Sequence, residues 1–212
     1  MEESVIEKEL KIKNNEQAVM SCFQNSLNSL NCKQIKFDLQ KIIETIGSRH
    51  CNQAITMKEI FDCIKQSKLS DEMNEELYMK MITCATQRVL QIPEDLYIAL
   101  VNGLIQQRKE FVLTQLLQYK VIPDNNSIAA ILLQQQTSIP CLYYCGLDML
   151  KRMKNYSKLV DLYLMNNNIS MALQIANQYS VEIPSTKVQE YIKNYNDDLL
   201  LYQLKLIFPE LA

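Results

Sequence analysis

Glycine is scarce in this 212-residue chain, which contains it only at positions 47, 103 and 146. Phosphate-cradling loops and tight hairpin turns need glycine, because glycine adopts positive φ angles and lets another backbone or a ligand approach closely. The three glycines are too far apart to build either. Proline is also sparse, at five positions, so long stretches can stay helical without interruption. These two shortages predict an all-α protein.

Long apolar runs and a strong charge bias are absent as well. The longest purely apolar run is Ile128–Leu133, far below the roughly 20 residues that a membrane-spanning helix needs. The formal net charge is −2, so no overall field favours nucleic acid or an anionic membrane. The N-terminal stretch MEESVIEKELKIKNN is charged and lacks the apolar core of a secretory signal. The seven scattered cysteines are therefore expected to stay reduced in the cytosol.

Apolar residues spaced three and four positions apart dominate the chain, and this is the period of an amphipathic α-helix. In the C-terminal half, the helices are predicted to pair as hairpins whose first members begin near residues 94, 125, 157 and 186. A two-helix repeat of roughly 30 residues is typical of an α-solenoid, in which stacked neighbours complete one another's core. We therefore predict N-terminal helices over 1–90, continuous with the solenoid, and a helical-repeat domain over 91–212.

Local signals mark helix starts and core positions. Thr56 and Glu59 have the spacing of a capping box, in which each side chain accepts a hydrogen bond from the other residue's backbone N–H. Ser70 is expected to cap the next helix, because its hydroxyl can accept from an unpaired N–H of the first turn. Leu116 and Leu162 lie on apolar stripes and are expected in the core, where aspartate would be an unpaired buried charge.

The segment LVDLYLMNNNISMALQIANQY is the clearest predicted hairpin. Its turn is expected at Asn166–Asn168, because asparagine tolerates left-handed backbone geometry. Ser170 is expected to cap the second helix. Ala172 and Ala176 are small residues one helical turn apart, so the two helices can approach closely there.

Residues able to carry chemistry are few and poorly matched. The single histidine, His50, adjoins Cys51 in an expected loop, where neighbouring side chains rarely face each other. Cys141 and Cys145 share a helical face but lack two further zinc ligands. We therefore predict no catalytic, cofactor or metal site and no enzyme; a hydrolase using Cys51 or Cys141 is the enzymatic alternative. Carboxylates cluster where the helix dipole favours them, at Asp71, Glu72, Glu75, Glu76, Asp197 and Asp198.

The stretch DMLKRMKNYSK contains the densest positive cluster, formed by Lys151, Arg152, Lys154 and Lys158. These four residues are candidate partner-binding residues, for an acidic protein surface or a lipid head group. The alternative is a solvated helix end, where the dipole favours cations. Lys151→Glu together with Arg152→Glu is expected to leave folding intact, and intact partner binding as well would favour this alternative. Nucleic-acid-binding repeats would need such charges and stacking aromatics on every unit, so nucleic acid is not an expected partner.

The stretch EFVLTQLLQYKVIPDNNSIAAILLQQQ, followed by LDMLKRM, resembles the Mic-one domain family, the C-terminal helical domain of the regulator of the Mon–Ccz complex (Bulli-like). The resemblance rests on packing and turn signatures at Leu116–Tyr119, Val121–Asp124, Ser127–Leu133 and Leu147–Arg152. Weaker similarity extends from about residue 93 to residue 208. Family members usually carry an N-terminal β-propeller, and nothing in this sequence predicts one.

The resemblance implies a non-catalytic scaffold subunit of the Mon–Ccz guanine-nucleotide exchange complex, which activates the late-endosomal Rab GTPase. It implies the Mon and Ccz subunits as partners and a cytoplasmic location, peripheral on late endosomes and lysosomes, in endosome maturation, lysosomal trafficking and autophagy. Contact with the endosomal membrane would come through the complex. No small-molecule substrate is expected. The alternative is a helical subunit of another vesicle-tethering or coat complex, of the clathrin-like or vacuolar-sorting kind.

Overall fold

The computed structural model describes residues 5–46, 56–166 and 168–183. Within these ranges the chain forms ten α-helices and no strand, which confirms the all-α prediction. The helices of the first half are α1 (Val5–Ser29), α2 (Cys32–Ile46), α3 (Met57–Gln66), α4 (Asp71–Gln87) and α5 (Glu94–Gln106). They are followed by α6 (Glu110–Gln118), α7 (Asn126–Leu133), α8 (Pro140–Arg152), α9 (Tyr156–Met165) and α10 (Ile169–Tyr179).

The chain divides into two compact units. The first comprises Met1–Pro123 with Thr137–Leu142, and it contains α1 to α6 and the first turn of α8. The second comprises Asp124–Gln136 with Tyr143–Ala212, and it contains α7, the rest of α8, α9 and α10. Helices α4 and α5, on either side of residue 90, lie in the same unit. The domain boundary at that position stays a prediction.

The first unit is a series of packed helices: α1 contacts α2, α2 and α3 contact α4, α4 contacts α5, and α5 contacts α6. The predicted capping box is confirmed, because Glu59 N donates to Thr56 Oγ1 at 3.2 Å and Thr56 N donates to Glu59 Oε2 at 2.8 Å. Ser70 caps α4 as predicted, accepting from Met73 N at 3.4 Å. The core of the first unit includes Phe23, Ile35, Leu39, Ile43, Ile60, Phe61, Leu77, Met81, Leu100, Leu104 and Leu116.

The second unit contains the predicted hairpin, and α9 packs against α10. Ala172 and Ala176 are buried as expected, but Ser170 is not the cap. Asn168 accepts from Met171 N at 3.3 Å, because the helix begins at Ile169, two residues earlier than a cap at Ser170 would require. The hairpin turn was placed partly on residue 167, which lies outside the described residues.

The prediction that Leu162 lies in the core is wrong, whereas Leu116 is buried as predicted. Leu162 is half-buried, and the buried residues of α9 are Leu159 and Val160. At roughly 100° per residue, Leu162 points about 110° away from the midline between Leu159 and Val160. Tyr163 falls almost on that midline.

Helix starts follow the predicted spacing as far as the structure describes them. Helices α5, α7 and α9 begin at Glu94, Asn126 and Tyr156, within one residue of the predicted positions 94, 125 and 157. The fourth start, near residue 186, and the two last predicted helices lie outside the described residues. The repeat as a stacked solenoid stays a prediction.

Two helical glycines are expected to respond oppositely to alanine. A Cβ at Gly103 in α5 would meet no atom within 4 Å, whereas at Gly146 in α8 it would lie 3.1 Å from Leu133 Cγ and 3.3 Å from Ala129 O of α7. Gly103→Ala should raise the free energy of unfolding by about 1 kcal/mol, through helix propensity alone. Gly146→Ala should lower it by about 1 kcal/mol, since α7 must move aside. Urea unfolding followed by circular dichroism measures both; equal gains would contradict the close approach.

Candidate partner-binding surface

The four predicted cationic residues meet at the junction of α8 and α9. Lys151 and Arg152 end α8, and Lys158 lies in the first turn of α9. Lys154 lies between them with φ 58°, a left-handed conformation that lets Asn155 N donate to Leu150 O at 2.9 Å. Lys151 and Lys154 are exposed and Lys158 is half-buried. The three lysines therefore lie on and beside one short turn.

Arg152 differs from the other three, because its guanidinium group is hydrogen-bonded to two carboxylates of the second unit. Its Nη2 and Nε donate to Asp124 at 2.6 and 2.9 Å, and its Nη1 donates to Asp148. The side chain is 29% exposed. The hydrogen bond with Asp124 raises the pKa of Arg152, an effect that partial burial opposes and the charges of Asp124 and Asp148 reinforce. Arg152 therefore forms ion pairs within the second unit while it stays accessible to solvent.

A groove lined by tyrosines lies between α8, α9 and α10, with a volume of about 280 Å³. We call it the tyrosine groove. Its floor is formed by the apolar side chains of Leu147, Leu159 and Ile175, which are almost fully buried. Its other lining residues are Tyr144, Asp148, Lys151, Tyr156, Tyr163, Met171, Gln174, Gln178 and Tyr179. Lys151 is the one predicted cation among the lining residues, and it joins the positive cluster to an apolar cleft.

Aromatic contacts fix the groove. The rings of Tyr156 and Tyr179 stack with centroids 3.6 Å apart and planes 7° apart, which ties α9 to α10. Tyr143 and Tyr144 meet edge to face at 5.7 Å. Burial, and secondarily the charge of Tyr144, raises the pKa of Tyr163. Its hydroxyl therefore stays protonated at neutral pH and is able to donate a hydrogen bond.

The groove was not found from the sequence. Tyr144, Tyr163 and Tyr179 lie on three different helices, so their common cleft depends on how those helices pack. The composition held one signal, since the chain has 11 tyrosines and no tryptophan. Tyrosine combines a large apolar ring with a polar hydroxyl, and it is enriched where proteins contact one another.

The other residues considered for catalysis or metal binding are either dispersed among the described helices or lie outside the described residues. Cys141 is exposed at the start of α8 and Cys145 is half-buried. Within the described ranges, no three His, Cys, Asp or Glu residues come together as a metal site would require. His50, Cys51, Asp197 and Asp198 lie outside those ranges.

The acidic start of α4 contributes to packing of the first unit. Glu75 pairs with Lys109 at 2.8 Å, and Glu76 pairs with Lys36. These contacts join α4 to the residue before α6 and to α2, so two of the four carboxylates have structural partners.

None of the helices that the structure describes is both long and apolar enough to cross a membrane.

Comparison with known proteins identifies the family of the chain. The family model described as "Regulator of MON1-CCZ1 complex, C-terminal" matches residues 3–211. The human protein named "Regulator of MON1-CCZ1 complex" is 25% identical over 135 residues, and its mouse counterpart is 24% identical over 135 residues. Each alignment covers 62% of this chain and 20% of the relative, so the chain spans about a fifth of the length of these relatives. The chain belongs to the family of C-terminal domains of the regulator of the MON1-CCZ1 complex.

Proposed function

We propose that this chain is a non-catalytic scaffold subunit of the Mon–Ccz guanine-nucleotide exchange complex, which acts on the late-endosomal Rab GTPase. The family match over residues 3–211 carries the proposal, and both relatives are named as regulators of that complex. The exchange chemistry then belongs to the Mon and Ccz subunits. The chain would act in the cytoplasm, peripherally on late endosomes and lysosomes, in endosome maturation and autophagy.

The scaffold role includes the predicted architecture, an α-solenoid of hairpins of roughly 30 residues. Helix starts at Glu94, Asn126 and Tyr156, 32 and 30 residues apart, support this repeat. The packed pair α9 and α10 supports the hairpin as its unit. A scaffold of this kind presents side chains on its outer faces to other proteins, and the tyrosine groove with Lys151 is such a surface.

Affinity purification of the tagged chain from its own cells, followed by mass spectrometry, tests the proposal. We expect the Mon and Ccz subunits to be enriched over a tag-only control. A tethering or coat complex in their place would favour the alternative function and contradict this one.

A nucleotide-exchange assay tests the non-catalytic part separately. The purified chain alone should leave nucleotide release from the Rab GTPase at its spontaneous rate. Strong exchange by the isolated chain would show that the chain itself is the exchange factor, and the scaffold assignment would fall.

A further inference from the structure

We propose that the tyrosine groove binds a short acidic and apolar segment of a partner protein, in which apolar side chains are flanked by Asp or Glu. This inference rests on the proposed function and deepens it, because it names the surface and the chemistry of the segment. It applies to the second unit alone, since α8, α9 and α10 supply every lining residue.

The apolar part of the inference follows from what the groove leaves uncovered. Above a floor of Leu147, Leu159 and Ile175, Tyr144 is 66% exposed and Met171 is 37% exposed. Large apolar side chains beside a concave apolar floor mark a binding surface, because water is a poor solvent for both. Methionine adapts its shape to the bound side chain. The occupant must therefore supply apolar groups.

The charge of the rim selects an acidic occupant. Two charged residues line the groove, Asp148 and Lys151. Arg152 already engages the Asp148 carboxylate, whereas Lys151 is exposed and forms no salt bridge with any carboxylate that the structure describes. Lys154 and Lys158 follow within seven residues and carry the same charge, outside the lining of the groove. An Asp or Glu beside the apolar groups would pair with Lys151, whereas a Lys or Arg in the same place would face a like charge.

The groove is held in shape before any partner binds. Tyr156 and Tyr179, which line it, stack on each other. Beside the lining residue Tyr144, Tyr143 Oη accepts from Asn166 Nδ2 at 2.6 Å, and Asn166 Oδ1 accepts from Gln136 Nε2 at 3.1 Å. A preformed surface loses little conformational entropy on binding, so even a short segment can bind measurably.

Because the chain has no tryptophan, a tryptophan-containing peptide reports binding through its own fluorescence. We would titrate the full chain into two synthetic peptides with one apolar core of Leu and Trp, one flanked by Glu and the other by Lys. The Glu peptide should bind roughly tenfold or more tightly than the Lys peptide. Equal affinities, or binding of neither peptide, would overturn the proposal.

Two double variants provide the structural control. Tyr144→Ser with Lys151→Glu changes the groove, and Tyr119→Ser with Lys120→Glu makes the same changes at exposed residues of the first unit. The groove variant should weaken Glu-peptide binding at least roughly tenfold, and the control variant should leave it unchanged. Circular dichroism checks that both stay helical. Equal losses in both would overturn the proposal, as would binding that shifts to anionic phosphatidylserine vesicles with no peptide preference.

Affinity purification with the same two variants separates this inference from the proposed function. Loss of Mon and Ccz from the groove variant alone supports both. If the groove variant keeps both subunits and the peptides show no charge preference, the function stands and the groove proposal fails. If the unaltered chain captures neither subunit but prefers the Glu peptide, the groove stands and the proposed function fails.

Discussion

Replacing Leu159 by aspartate is expected to unfold the second unit at ambient temperature. Leu159 is 2% exposed in α9 and forms part of the groove floor. The substitution removes a packed side chain and buries an unpaired carboxylate, at a combined cost of about 4 kcal/mol or more. That is close to the whole stability of a small domain. We expect loss of soluble protein, or a large fall in the urea midpoint measured by circular dichroism.

The matched control is Met165→Asp on the same helix. Met165 is 76% exposed, so its aspartate stays hydrated and should change the free energy of unfolding by less than about 0.5 kcal/mol. Leu162→Asp should fall between the two, because that side chain is half-buried. A Leu159→Asp chain that unfolds at the same urea concentration as Met165→Asp would show that the buried face of α9 is wrongly placed.

Local signals predicted the helices well because they act over one turn. The Thr56 and Glu59 capping box and the Ser70 cap each depend on residues three apart, although the Ser170 cap, a signal of the same kind, is wrong because Asn168 caps α10. The prediction that Leu162 is buried was wrong for a different reason. The segment is apolar at Leu159, Val160 and Leu162 alike, and the position of neighbouring helices decides which of them is covered.

The candidate surface was predicted only in part, since it depends on contacts between distant segments. The cluster at Lys151 is visible in the sequence because its four members lie within eight positions. The tyrosine groove is not, because Tyr144, Tyr163 and Tyr179 come from three helices. A buried contact in the first unit also joins different helices and was not predicted: Ser26 Oγ of α1 donates to Asp38 of α2 at 2.5 Å.

Arg152 is the clearest case of a residue whose role changes once tertiary contacts are known. Charge patterning placed it with Lys151 as an exposed cation, and Glu at both positions was expected to leave folding intact. The structure joins Arg152 to Asp124, 28 residues earlier, and to Asp148 one helical turn before it. The two neighbours Lys151 and Arg152 should therefore differ strongly when each is changed alone.

Arg152→Glu is expected to lower the free energy of unfolding by about 2 kcal/mol, because it removes a two-pronged ion pair and leaves three carboxylates together. The expected loss of unfolding free energy is no larger because Arg152 is partly exposed and Asp148 is more exposed, and water screens exposed charges. Added salt should shrink the loss by screening the repulsion. Urea unfolding at low and high sodium chloride measures both effects.

Lys151→Glu is the matched control, since it makes the same charge change one residue earlier. Its exposed ammonium has no described salt-bridge partner, so the urea midpoint should hardly move, while binding of an acidic segment to the groove should weaken. Equal destabilisation by the two variants would mean that Arg152 does not anchor Asp124. A loss confined to Arg152→Glu would assign Arg152 to the fold and leave Lys151 for recognition, which divides the charge cluster between stability and binding.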